Sequence, residues 1–181
     1  ESEFRFHGVK LGADAVLGGE GMGFRLAQKR LVPARLTHCM RWLGLADRAL
    51  SLCRDYLTKR KSFGATLAQH QSVQARIADN ATAIHAGNLM TLHCASLLAE
   101  GREDSEVRAY SSMAKREVAR TLCRVLDDAI QLHGGLGYSN DLPFARWYRW
   151  ARAARIADGP DEVHQMVIAR EFFKNGLELL V

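Results

Sequence analysis

One carboxylate in this chain sits where the backbone can aim it. Asp158 lies in the run Arg155-Ile156-Ala157-Asp158-Gly159-Pro160-Asp161-Glu162-Val163-His164. Gly159 lets the backbone turn, and Pro160 followed by Asp161 and Glu162 is a helix start, with proline at the first position and acids in the first turn. A carboxylate on such a connection can point into a cleft and take a proton from a carbon acid. The same pattern also reads as a plain helix cap, in which the Asp158 side chain accepts from the first turn. Local pattern leaves both readings open.

Other candidate groups carry less. A helical protein can hold a di-iron centre through Glu-x-x-His pairs on facing helices. Here only Asp161 and His164 approximate one, and His85 and His93 share a helix without a bridging carboxylate, so these are expected to be ordinary helix residues. Cys39, Cys53, Cys94 and Cys123 are scattered through helical patterns and are expected to be buried, reduced thiols. The net charge is +5, but the basic residues are interleaved with acids. Only Lys59-Arg60-Lys61 and the series Arg146, Arg149, Arg152 and Arg155 cluster, either as a solvated face or as a partner for the phosphates of a nucleotide cofactor. A nucleic-acid binder would show a denser patch.

The elements that must position Asp158 are helical. The 181 residues, 48% of them hydrophobic, suffice for one domain with its own core. No run reaches the roughly 20 apolar residues of a membrane span, and no signal peptide opens the chain. Phe4, Phe6 and Val9 alternate like the end of a strand and lead into Gly18-Gly19-Glu20-Gly21-Met22-Gly23. A short helix is predicted over about 24–31. Pro33 then sits near the start of a long helix whose apolar positions Leu36, Met40, Leu43, Leu45, Ala49 and Leu52 recur at helical spacing up to Lys59. After a break at 62–66, long helices are predicted over 67–99 and 105–133, separated by a turn at 101–104 and followed by Gly134-Gly135-Leu136-Gly137. A Pro143-led helix with Trp147, Tyr148 and Trp150 and a last helix from Pro160 to Lys174 complete the chain. Three long helices of about 30 residues joined by short loops must alternate in direction, which predicts an all-α fold, an up-and-down antiparallel bundle.

Three stretches, Arg60-Lys61-Ser62-Phe63-Gly64, Gln131-Leu132-His133-Gly134-Gly135-Leu136-Gly137 and Asp158-Gly159, resemble the acyl-CoA dehydrogenases in their order and spacing. In that family Arg-Lys-x-Phe-Gly ends one long helix, Gln-x-x-Gly-Gly-x-Gly ends another, and a glutamate followed by glycine precedes the final helix. Gly18 to Phe24 and Val167-Ile168-Ala169-Arg170 extend the likeness to essentially the whole chain. Pro33-Ala34-Arg35, His38-Cys39-Met40-Arg41 and the run 157–164 look like the subfamily in which such a dehydrogenase can be fused behind a kinase-like phosphotransferase domain. The resemblance implies that residues 1–23 are the end of a preceding β domain with a glycine-rich linker, and 24–181 the C-terminal helical domain. The start at Glu1, without methionine, is read as processing or as a piece of something longer.

The function implied is oxidation of an acyl-CoA thioester to the 2-enoyl-CoA, with hydride transfer to flavin adenine dinucleotide (FAD). Asp158 is the implied base, and its backbone N–H the implied donor to the thioester oxygen, with Gly159 and Arg35 beside the substrate. Arg60, Phe63 and Gln71 match cofactor contacts, Arg60 across a subunit interface, and Gln131, Gly134 and Gly135 match the turn on the adenosine side. Read alone, these are a basic cluster at a helix end and a helix C-cap. The implied partners are the acyl-CoA, an electron-transfer flavoprotein-like acceptor and further copies of the chain in a homodimer or tetramer. The implied compartment is the bacterial cytoplasm or the mitochondrial matrix. Asp158 departs from the family's glutamate, Pro160 from its threonine and Glu162 from its glutamine, while Ala34 fills the place where some members carry an alternative glutamate base. Two further readings stay open: a flavin oxidase of the nitroalkane oxidase type, which shares the fold and uses an aspartate, and a non-catalytic helical assembly domain.

Overall fold

Helix-stopping residues divide the chain into its elements. In the computed structural model, residues 2–102 and 104–179 are described; Glu1, Glu103, Leu180 and Val181 lie outside the described residues, and with Glu103 part of the turn at 101–104. Helix α1 spans Gly23–Leu57 and is followed by a two-residue hairpin, β1 at Lys61–Ser62 against β2 at Ala65–Thr66. Helix α2 is Gln71–Ala99 and α3 Ser105–His133. A single turn α4 at Gly135–Tyr138, then α5 at Phe144–Arg152 and α6 at Asp161–Asn175, complete the order. Asp104 caps α3 by accepting from the Val107 N–H at 2.9 Å. Gly176, at φ 70°, closes α6 in the left-handed conformation.

The fold is all-α, and α3 is its axis. It packs against α1, α2, α5 and α6, so its residues are buried on more than one face. Ala109, Ala114, Val118, Ala119, Leu122, Val125 and Leu126 are sealed from solvent. All of these but Ala109 meet Cys39, Trp42, Ala46, Ala49 and Cys53 of α1 in the main core. An aromatic group closes one end of the bundle: the Tyr56 ring stacks on His133 at 4.3 Å, and His133 lies 4.7 Å from Phe144. This contact places the C-terminal ends of α1 and α3 together, as up-and-down order requires. The four cysteines are buried and free. Burial pushes the Cys39 and Cys53 thiols up to about 12 and Cys94 to about 11, so they stay protonated. No helix among the described residues is long and apolar enough to cross a membrane.

Three local expectations are corrected. Pro33 does not begin a helix; it sits inside a continuous α1. An interior proline removes one hydrogen bond and opposes the carbonyl four residues back, a cost of about 3 kcal/mol. Pro33 is exposed, while Val32, Arg35, Leu36 and Cys39 bury the opposite side of the helix and hold it together. Helix α2 begins at Gln71 because residues 67–69 form a 3-10 turn, capped reciprocally by Thr66 and Gln69. Phe4, Phe6 and Val9 form no strand and are exposed. A strand exists only by pairing, and no neighbouring strand lies beside this segment among the described residues.

A polar contact locks α2 to α3. The buried Asp128 carboxylate accepts from Arg76 and, at 2.8 Å, from Asn80, whose own carbonyl accepts from Arg124 at 3.2 Å. Removing the carboxylate leaves the fully buried Asn80 amide without its acceptor, while the half-exposed Arg76 turns to solvent. Asp128→Ala is therefore expected to lower the unfolding free energy by about 2–3 kcal/mol. Substituting the exposed neighbour, Asp127→Ala, should change it by less than about 0.5 kcal/mol. Urea denaturation followed by helical circular dichroism checks the difference.

Candidate active site

Asp158 lies on the short connection between α5 and α6, and its backbone is unusual. It adopts φ +54° and the following Gly159 φ +105°. A left-handed aspartate is tolerated at a cost of roughly 1–2 kcal/mol, whereas the Gly159 conformation is open essentially to glycine alone. A Cβ on Gly159 would also lie 3.0 Å from the His164 ring. Two long helices hold this strained turn in place. Arg35 of α1 donates from Nε to the Asp158 carbonyl at 3.0 Å, and Lys115 of α3 donates from Nζ to the Gly159 carbonyl at 2.6 Å. The cap of α6 is Pro160, with no side-chain capping bond, so Asp158 does not serve as the helix cap.

The carboxylate itself turns to α1. Its Oδ2 lies 2.8 Å from His38 Nε2. The other ring nitrogen of His38, Nδ1, faces the Arg41 guanidinium. A guanidinium only donates, so Nδ1 is the acceptor and the ring proton sits on Nε2, which donates to Asp158. His38 also stacks on Trp42 at 5.4 Å. The Asp158 Oδ1 and the Asp158 backbone N–H have no partner among the described residues. The turn thus presents one acceptor and one donor that the fold leaves unused, the pair needed to take a proton beside a carbonyl and hold the charge developing on its oxygen.

Beneath the turn lies a desolvated polar cluster that sequence reading did not single out. Lys115 is fully buried, and burial lowers its pKa against the pull of Asp161. Burial likewise lowers the pKa of Arg35, with Asp158 opposing. Asp161 is bound by Arg155 at 2.7 Å. His164 is sealed from solvent, and neither ring nitrogen has a partner among the described residues. Burial, reinforced by the charges of Lys115 and Arg35, pushes its pKa down to about 4. Lys115 falls on the apolar face of α3 between Ala114 and Val118; a cation at such a position was the available signal. His38 carried none, because its partner is 120 residues away in sequence.

The remaining predicted residues gather at the opposite end of the bundle. Arg60 is exposed beyond α1, Phe63 forms the hairpin tip, and Gln71 is exposed at the start of α2. Gln131 is exposed near the end of α3, and Gly134 and Gly135 follow it with open space where side chains would stand. Phe63 is 99% exposed and holds φ +50°. A bulky ring presented to solvent on a left-handed backbone is a costly arrangement. Arg146, Arg149 and Arg152 are exposed, as a solvated face would be, while Arg155 is committed to Asp161. Eighteen residues separate Lys115 from His133 along α3, so at 1.5 Å per residue the two groups are about 27 Å apart within one chain.

Comparison with known proteins defines the class. The family described as acyl-CoA dehydrogenase, C-terminal domain, matches residues 21–173. The probable acyl-CoA dehydrogenase FadE2 of Mycobacterium tuberculosis is 44% identical over 168 residues, covering 93% of this chain and 41% of that protein. Acyl-CoA dehydrogenase family member 11 of Rattus norvegicus is 40% identical, covering 93% of this chain and 21% of that protein. The solved butyryl-CoA dehydrogenase of Megasphaera elsdenii superposes with a TM-score of 0.88 at 32% identity, over 93% of this chain and 43% of that one. This chain belongs to the acyl-CoA dehydrogenase family, as its C-terminal helical domain. It spans from a fifth to about two-fifths of the length of these relatives.

His164 generates a pH prediction. Below its ordinary value of 6.5 the unfolded chain takes up a proton that the folded chain refuses until about 4. The stabilisation is therefore present above 6.5 and is lost as pH falls toward 4, by about 2 kcal/mol between pH 6.5 and 5. Urea midpoints measured across that window should fall steeply in the parent. They should fall less steeply in His164→Leu, whatever its absolute stability.

Proposed function

We propose that this chain is the helical part of an FAD-dependent acyl-CoA dehydrogenase that oxidises an acyl-CoA thioester to the 2-enoyl-CoA, and that Asp158 is its base. The observation that carries the reading is the double left-handed turn at Asp158-Gly159, anchored to α1 and α3, with Oδ1 and the Asp158 N–H unused among the described residues. Asp158 removes the alpha proton, and its N–H donates to the thioester oxygen as charge builds there. Arg35 and Lys115 keep the turn from shifting, and His38 orients the carboxylate.

The residues at the far end of the bundle suit FAD. A guanidinium for phosphate, an exposed aromatic ring, two carboxamides and bare glycine backbone form a donor set suited to a dinucleotide. Arg60, Phe63, Gln71, Gln131, Gly134 and Gly135 would hold its phosphate and adenosine portions. When bound, FAD supplies the acceptor for the beta hydrogen. An electron-transfer flavoprotein-like protein is the proposed partner that would accept the electrons. The distance between the two ends supports a shared site, in which the Arg60 end of one copy serves the Asp158 turn of another, within a homodimer or tetramer. Residues 1–23 fit the end of a preceding β domain and its linker, and residues 2–21 are exposed. The chosen aspartate also suits a nitroalkane oxidase-type enzyme, and the same assay separates the two.

In the protein at its natural length, Asp158→Asn should slow flavin bleaching by acyl-CoA at least about a hundredfold, with flavin content and melting temperature near the parent. Bleaching at the parental rate would make Asp158 structural. Turnover of a nitroalkane with oxygen alone would assign the oxidase reading. Separately, Arg60→Ala should weaken flavin retention by about tenfold to a hundredfold without unfolding the bundle. Flavin content after dialysis measures this, and an unchanged value would leave Arg60 a surface charge.

A further inference from the structure

A second concave site lies along α3 beside α5. It is an open cavity of about 480 Å³ whose lining includes Arg116, Arg120, Thr121, Arg124, Tyr148 and Arg155. Arg116, Arg120 and Arg124 recur every four residues, so their side chains stack on one helix face, where like charges repel. Two of the four guanidinium groups are committed: Arg155 to Asp161, and Arg124 to the Asn80 side chain and the Asp79 carbonyl. Arg116 and Arg120 donate to nothing among the described residues. Glu117 and Asp127 also line the cavity, yet neither forms a salt bridge with these arginines among the described residues.

Two donors are shut off from water without a partner among the described residues. They are Arg116 Nε and the hydroxyl of Thr121, a residue only 2% exposed. Buried donors in a folded protein are normally satisfied, and an unmet one is a cost that a bound acceptor removes. A carboxylate offers two oxygens to one fork. Donors from Arg116 and Arg120, one turn apart, and from Thr121 next to Arg120 instead match the three acceptor oxygens of a phosphate monoester.

We propose that this cavity binds a phosphate group, held by the guanidinium groups of Arg116 and Arg120 and by the Thr121 hydroxyl. Tyr148 places an aromatic ring on the cavity wall, where a base carried by the same ligand can stack. The site does not depend on the identity of the acyl substrate, nor on the assignment of Asp158 as base.

The test is calorimetric titration of the flavin-loaded protein at its natural length with inorganic pyrophosphate, with ADP and with a hexaglutamate peptide. Saturable pyrophosphate binding is expected, weakened about tenfold or more by Arg116→Gln and by Arg120→Gln. Arg170→Gln, an exposed charge on α6, should leave it unchanged. Thr121→Val is the sharper variant. It removes a hydroxyl that the empty protein does not use, so the urea midpoint without ligand should hold or rise while anion affinity falls. ADP binding more tightly than pyrophosphate would say that the phosphate arrives on a nucleotide, and equal affinity that the phosphates alone are read. The proposal fails if no saturable phosphate binding occurs, if Arg170→Gln weakens it as much as Arg120→Gln, or if hexaglutamate binds more tightly than either phosphate ligand.

Discussion

The contact on which the candidate site depends is the bond from the buried Lys115 ammonium to the Gly159 carbonyl. An ammonium taken out of water is expensive unless its donors are met, and the α3 core around Lys115 offers chiefly apolar neighbours. The α5–α6 connection supplies what α3 lacks: a carbonyl from Gly159 and the nearby carboxylates of Asp161 and Asp158. Satisfying the lysine therefore fixes the connection, and fixing the connection sets the direction of the Asp158 side chain. Here the packing link and the chemical link of the chain are the same interaction.

The same constraint explains why α6 is attached as it is. Its sealed residues on the α3 side are Asp161, His164 and Glu171, a polar stripe rather than an apolar one. Glu171 accepts from Ser105 at 2.8 Å and from Asn175 at 2.7 Å, so the far end of α6 is also tied by hydrogen bonds. A helix held this way has a defined register, because sliding it by one turn would strand several buried polar groups at once. Register is what a base on the preceding turn needs. The cost is a lower tolerance of acid, since the neutral His164 ring sits among cations.

The long helices were legible because each carries an apolar period over seven or more turns, a signal that survives local irregularity. Pro33 was misread because its local rule, a helix start, gave way to tertiary packing of Val32, Leu36 and Cys39 on one face. The strand expected around Phe6 depended on a partner strand, which no pattern within the segment supplies. Asp158 was legible through Gly159 and Pro160, which mark a turn before a helix, and Arg35 only through family likeness. Lys115 was not singled out, and His38 and His164 were named only within motifs and without these roles, since each acquires its role through the folded contacts. Periodicity reports which face is buried, and says nothing of which buried polar group meets which.

An aspartate in place of the family's glutamate changes how the proposed base is controlled. The shorter side chain has one rotatable bond fewer, so its carboxylate follows the backbone more strictly. In this chain the backbone is held at both peptide units, by Arg35 on one carbonyl and Lys115 on the next, and the carboxylate by the His38 ring. His38 is in turn set by Arg41, which claims its other nitrogen. A carboxylate fixed through two helices, α1 and α3, loses little freedom when a substrate arrives, and that is the entropic advantage a preorganised base has over a flexible one. Reach given up with the methylene is thereby exchanged for order, and the bundle, not the side chain, determines where the carboxylate stands.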